Sequence, residues 1–232
     1  MVYWRGMSRI QTAYEYRYRE LLLRFGARRP DQGVNWLVRR ARELKEGESV
    51  SLADSLTRVA RELAAKSLKT RHPLANNGEN IRFFCDSGLG GLARWLRGSG
   101  YEAFWEPSID DYELLQRAQK LHTTVLTTDS LLMERTVVRD HVIPALWLPP
   151  TLSISEALAF VFHEFGLKVG EPRCMSCGGE LRQESKEVLK DRIPPKTFKW
   201  LDEYFVCSRC GKLFWRGTHW HKIEGELQKM AR

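Results

Sequence analysis

The sequence predicts an α/β chain: a parallel sheet wound by helices, a small cysteine-built module after it, and a helical segment before it. Three observations carry this. Between residues 81 and 165, short apolar runs alternate with stretches of helical periodicity, the pattern of a parallel sheet joined by right-handed crossovers. Two knuckles, Cys174-Met-Ser-Cys177 and Cys207-Ser-Arg-Cys210, lie 29 residues apart, each followed by a glycine (Gly178, Gly211) that lets its turn close. Residues 1–80 place apolar side chains three and four positions apart and end in a stretch with Pro73, Asn76, Asn77 and Gly78. The expected organisation is a basic helical segment with its linker over 1–80, the sheet domain over 81–170, and the cysteine module with a C-terminal tail over 171–232.

Each element has its own signals. Ile10, Tyr14, Tyr18, Leu21, Leu22 and Phe25 mark a first helix, ended by Gly26 and Pro30. Asp31 is placed to cap a second, with Val34, Leu37, Val38, Ala41 and Leu44 on one face and Gly47 at its close. Ser51 and Asp54 form a capping-box pattern ahead of Leu56, Val59, Ala60 and Leu63. These three helices make a small bundle or an arm packed on the next domain. Residues 81–85 read as an apolar strand ending at Asp86. Leu89, Leu92, Ala93 and Leu96 mark a helix stopped by Gly98 and Gly100. Residues 101–105 read as a second strand and 109–121 as a helix with Leu114, Leu115 and Ala118 inward. Residues 123–128 are a β-branched third strand ending at Asp129. A short helix and a fourth strand over 141–148 lead to a helix over 153–165, stopped by Gly166.

Four thiolates in two knuckles suit one tetrahedral metal, which makes the module a zinc ribbon with structural Zn2+ on Cys174, Cys177, Cys207 and Cys210. A pair of disulfides is the alternative. Such a zinc site has no open ligand position, so the chemistry must sit elsewhere. Cys85, inside an apolar run, reads as a small core residue. No apolar run approaches the ~20 residues of a bilayer span, and Trp4, Arg5 and Arg9 are unlike a signal peptide. With this cysteine usage, a cytoplasmic protein is expected and no membrane partner. The net charge of +8 is uneven: +7 over 1–80, −4 over 81–172 and +5 over 173–232. Basic flanks attract polyanions, and an acidic centre suits divalent cations.

Functional groups of parallel α/β sheets collect at the carboxyl ends of the strands. Two strands end in aspartates, Asp86 and Asp129, and Asp110-Asp111 opens the helix after the second strand. Hard oxygen ligands of this kind bind Mg2+ or Mn2+ with several waters retained, and such ions activate water toward a phosphodiester. The rival reading of Asp86 and Asp129 is a helix cap, and of Asp110 or Asp111 a charge on the helix dipole; which of that pair is the ligand stays open. A D-x-D phosphatase motif is absent at Asp86-Ser-Gly88, and neither G-x-G-x-x-G nor a P-loop motif occurs.

The run from Asp86 through Gly88-Leu-Gly-Gly to Arg97, then Gly100-Tyr101, 109–115, Leu126-Thr-Thr-Asp129 and the two knuckles resembles the Mut-seven C-terminal RNase family. The resemblance covers about residues 81 to 221. It implies a PIN-like nuclease fold followed by a zinc ribbon, RNA as substrate, and Asp86, Asp110 or Asp111, and Asp129 as acidic catalytic and metal-binding residues. Two basic positions of the family are Gly91 and Thr128 here. Arg94 and Arg97, three apart on one helix, are placed to meet phosphates. Lys212, Trp215 and Arg216, among other aromatics of the ribbon, suit single-stranded RNA, whose bases stack on aromatic planes. The reading is a metal-dependent ribonuclease. Its rivals are a catalytically idle RNA- or ribosome-binding protein, and a toxin-like or adaptor protein with a protein partner at residues 1–80.

Overall fold

The structure, a computed structural model, describes residues 9–24, 27–69, 81–140 and 142–230. The expected linker over 70–80, together with Phe25, Gly26 and His141, lies outside the described residues. The chain forms two compact units, Met1–Asn77 with Leu126–Ser153, and Gly78–Val125 with Ile154–Arg232. Residues 81–170 therefore contribute to both.

In the first unit, α1 (Arg9–Arg24), α2 (Pro30–Glu48) and α3 (Leu52–Lys69) pack on one another. Their apolar stripes face inward: Tyr14, Tyr18, Leu21, Val38, Ala41 and Leu56 are buried, while Ile10 is exposed. The Tyr18 hydroxyl donates to the Leu56 carbonyl at 2.8 Å. The Tyr14 hydroxyl shares a hydrogen bond with Thr57, which shares another with Thr151 at 3.0 Å. The Tyr14 ring meets Trp147 edge-on, centroids 4.8 Å apart. Ser51 Oγ accepts from the Asp54 N–H at 3.1 Å and donates to Asp54 Oδ2 at 2.6 Å, so Ser51 caps the helix as the sequence predicts, and the Asp54 carboxylate meets the Ser51 hydroxyl. The second helix departs from expectation at both ends. Pro30 starts it at a position where a missing N–H costs nothing, so Asp31 lies inside the first turn and is not the cap. The helix runs through Gly47 and ends at Ser49, whose φ of 54° breaks it.

The α/β part runs β1 (Arg82–Cys85), a 3-10 turn over Ser87–Leu89, α4 (Gly90–Gly98), β2 (Glu102–Trp105), α5 (Asp111–Leu121), β3 (Thr124–Thr127), two single-turn helices α6 (Ser130–Met133) and α7 (Thr136–Arg139), β4 (Ala145–Trp147) and α8 (Ile154–Phe165). The strands form a parallel four-stranded sheet in the order β2-β1-β3-β4. β4 is shorter than the expected 141–148 because Pro144 has no N–H to give a ladder. Phe83, Phe84 and Cys85 are fully buried, and burial holds the Cys85 thiol up at about 12, so it stays protonated. α8 packs on α4, with Phe165 against Phe83 and Phe162 against Tyr101.

The C-terminal part is an antiparallel sheet in the order β5 (Leu181–Glu184), β6 (Tyr204–Cys207), β7 (Leu213–Trp215). Between β5 and β6 lies α9 (Pro195–Trp200), where Leu189, Ile193 and Tyr204 make a small core. The expected tail is instead the helix α10 (Thr218–Met230). Among the described residues, no helix is long and apolar enough to cross a membrane.

Candidate metal centre and strand-end carboxylates

The four cysteines converge. Their sulfurs all lie within 4.8 Å of one another, with Cys174 Sγ 3.7 Å from Cys210 Sγ and Cys177 Sγ 3.4 Å from Cys207 Sγ. These are the edges of a thiolate tetrahedron, whose expected value is about 3.8 Å for zinc–sulfur bonds of ~2.3 Å. All four are free thiols, which removes the disulfide alternative. The donor set suits a structural metal such as zinc. The knuckle turns close through Gly178 N–H to the Cys174 carbonyl (2.7 Å) and Gly211 N–H to the Cys207 carbonyl (2.9 Å), with both glycines at positive φ, 76° and 68°. Burial pushes the Cys207 thiol up, but the N–H groups of Cys210 and Arg209 aimed at its sulfur bring it down to about 6. Gly179 was not singled out by sequence reasoning. A Cβ there would sit 2.7 Å from Cys207 Sγ, so only glycine lets the two knuckles approach.

Two arginines fasten this centre to the edge strand β2. Arg97 is buried (5% exposed), and its guanidinium donates to the carbonyls of Ala103 (2.7 Å), Ser176 (2.9 Å) and Met175 (3.3 Å). Arg209 donates to the Cys177 carbonyl at 2.7 Å and pairs with Glu102 at 3.4 Å, and Glu102 also accepts from Arg82. Arg97 therefore braces the first knuckle, with Nε and Nη1 engaged by the carbonyls of Ala103, Met175 and Ser176.

The four aspartates stand where the strands deliver them. Asp86 follows β1 and accepts from Ser87 N–H at 2.6 Å, while the Trp105 indole donates to the Ser87 carbonyl and holds that turn. Asp110 caps α5 by accepting from Glu113 N–H at 2.9 Å, and Asp111 is the first residue of that helix. Asp129 follows β3 and caps α6 by accepting from Leu131 N–H at 2.8 Å. Each capping contact uses one carboxylate oxygen. Carboxylate oxygens are the hard donors that a divalent cation takes; among the described residues, the group of three or more potential ligand side chains gathered within 4.8 Å is the four-cysteine set.

Of the residues read as RNA-facing, Arg94, Lys212, Trp215 and Arg216 line one cleft of the second unit. Arg94 and Lys212 are exposed, and Lys212 donates to Ser176 Oγ at 3.0 Å. Trp215 is half-buried against the ribbon core. Arg216 pairs with Glu203 at 3.4 Å and lies 5.8 Å from the ring centres of both Phe205 and Trp220. At Gly91, where the resembled family carries a basic residue, a Cβ would meet Ile154 Cδ1 at 2.5 Å, so that space is filled by α8.

The model of the Mut7-C RNAse domain, the family of the Mut-seven C-terminus, matches residues 81–227. No curated protein and no solved structure matches the chain.

Proposed function

The chain belongs to the Mut7-C RNAse domain family, and from that premise we propose that it is a metal-dependent ribonuclease with a PIN-like catalytic domain. The observation that carries the reading is that the matched segment, 81–227, contains an aspartate after β1, after β3 and at the start of the helix that follows β2. Asp86, Asp129 and one of Asp110 and Asp111 are the proposed ligands of Mg2+ or Mn2+. A divalent cation bound there supplies an activated water and neutralises charge building on the phosphodiester. The chain's own part is to fix the carboxylates, and each capping hydrogen bond from a turn N–H does so. Zn2+ is the proposed occupant of the four-cysteine centre and has a structural role only, since thiolates fill all its positions. Arg94, Lys212, Trp215 and Arg216 are the proposed RNA contacts. The +7 and +5 flanks support a polyanionic partner whose affinity falls steeply with salt. The functional division remains 1–80, 81–170 and 171–232 in a cytoplasmic protein, with residues 1–80 open to a protein partner.

One observation favours the second reading, an RNA-binding protein without turnover: Asp86, Asp110 and Asp129 all serve as caps. A single experiment separates the two. Cleavage of end-labelled single-stranded RNA is measured with and without Mn2+ for the parent, Asp86→Asn and Asp129→Asn proteins. Mn2+-dependent cleavage abolished in both variants, with circular dichroism unchanged, is the expected result. Parent-rate cleavage by either variant refutes the mechanism, and RNA binding without any cleavage by the parent supports the second reading.

A further inference from the structure

The cleft that gathers Arg94, Lys212, Trp215 and Arg216 encloses about 440 Å3. That lies within the ~300–1,000 Å3 of small-ligand pockets. Its walls come from α4, the segment before the first knuckle, β7 and α10. Much of the lining is apolar, including Met175, Trp215, Trp220, Ile223 and Leu227. Four cations line it, Arg94, Arg173, Lys212 and Arg216, against one carboxylate, Glu171. Two of the cations are anchored, since Arg173 Nε donates to the Gly178 carbonyl at 2.8 Å and Arg216 pairs with Glu203. Arg94 and Lys212 stand exposed, Lys212 with a hydrogen bond to Ser176 Oγ at 3.0 Å. The aromatic side is ordered in advance: Trp220 stacks on Phe205 with ring centres 5.6 Å apart and planes 20° apart, and the Arg216 guanidinium lies beside both.

The ligand must match an apolar, aromatic lining and a positive rim at the same time. A nucleotide does, with a flat base that stacks and a phosphate that pairs with arginine and lysine. An acidic peptide helix matches the charge but lays several side chains along an extended groove, whereas this is one pocket of nucleotide size. We infer that this cleft seats one nucleotide of single-stranded RNA, its base against Trp215 and Trp220 and its phosphate at Arg94 and Lys212. The inference rests on the reading that RNA is the substrate, and adds a holding subsite built partly by the cysteine module.

The test uses the full chain carrying Asp86→Asn, so that RNA is not cut during binding. Two probes are titrated: uridine monophosphate, followed by tryptophan fluorescence, and a fluorescein-labelled octauridylate, followed by anisotropy. Trp220→Ala should weaken octauridylate by about 5- to 150-fold, the value of one base stack. Arg94→Glu with Lys212→Glu should abolish uridine monophosphate binding and flatten the salt dependence of the octauridylate. Zinc content and circular dichroism confirm that each variant is folded, and the charge reversals lie on exposed positions that leave the core intact. Unchanged affinity for both probes in the double variant overturns the inference while the cleavage result stands on its own. Binding of an oligoglutamate peptide in place of both nucleotides also overturns it. Loss of uridine monophosphate binding in the double variant supports the cleft even if the parent cleaves no RNA, in which case only the ribonuclease reading falls.

Discussion

Replacing Arg97 by methionine keeps most of the side-chain volume and removes the guanidinium. Three carbonyls, those of Ala103, Met175 and Ser176, then lose their donor. A buried carbonyl left unsatisfied costs about 1–3 kcal/mol. Ser176 is exposed and water can replace its partner, whereas Ala103 is 2% exposed and cannot be reached in this way. Burial lowers the Arg97 pKa, a sign that desolvating the charge already costs something that methionine would recover. The net loss is therefore about 2–4 kcal/mol, below the sum of three full penalties. At about 2–4 °C per kcal/mol for a chain of this size, the melting temperature falls by roughly 4–16 °C. The assay is thermal denaturation by circular dichroism, with the rate of zinc release to a chromophoric chelator measured in parallel. Both should change, because two of the carbonyls belong to the first knuckle. Arg94→Met, on an exposed position of the same helix, should stay within about 0.5 kcal/mol of the parent. An Arg97→Met protein that melts within about 2 °C of the parent and releases zinc at the parent rate would refute the bracing role.

Gly179→Ala should cut metal affinity and speed chelation, since the added methyl meets Cys207 Sγ at 2.7 Å; a chelator competition that leaves the affinity unchanged would count against the close approach. Tyr14→Ala removes a fully buried ring and should cost about 3–5 kcal/mol, while Tyr14→Phe, which removes only the hydroxyl shared with Thr57, should cost about 1 kcal/mol by urea denaturation. Glu106 is hydrogen-bonded by Arg117, which lowers its pKa in the folded state. Its contribution is thus present at neutral pH and lost as pH falls through that lowered value; the pair is less than half exposed, so Glu106→Gln should cost only about 0.5 kcal/mol at pH 7, a difference that shrinks as the carboxylate is protonated in acid.

Local signals in the chain were readable and long-range ones were not. Helical spacing placed Tyr14, Tyr18 and Leu21 on the buried face, and Ser51 met Asp54 as a cap, because caps and stripes are decided within a turn or two. The knuckles were readable for the same reason: C-x-x-C-G is a local turn, and the sulfurs met across 29 intervening residues once each turn closed. The bracing contacts of Arg97 carried no sequence signal, because an arginine on one helix face looks the same whether it ends in water or under a knuckle 78 positions away. Gly179 carried no signal beyond following Gly178; its need arises only where the second knuckle folds over it. The grouping of residues 126–153 with the N-terminal helices was likewise invisible, since Trp147 looks like any strand residue until Tyr14 is set beside it.

That last pairing has a consequence for how the chain is made. Tyr14 leaves the ribosome roughly 130 residues before Trp147 does. At about 5–20 residues per second, the delay is on the order of 10 s. Over that interval α1, α2 and α3 can associate by local contacts, and Thr57 can already meet Tyr14, but Trp147, which covers the edge of α1, and Thr151, the further partner of the Thr57 hydroxyl, are not yet synthesised. The nascent chain therefore carries an aromatic surface exposed for roughly ten million times longer than a helix takes to form. A pause in translation before residue 147 would lengthen that exposure, so synthesis rate over 126–153 becomes a determinant of the yield of folded protein, independent of the stability of the finished fold.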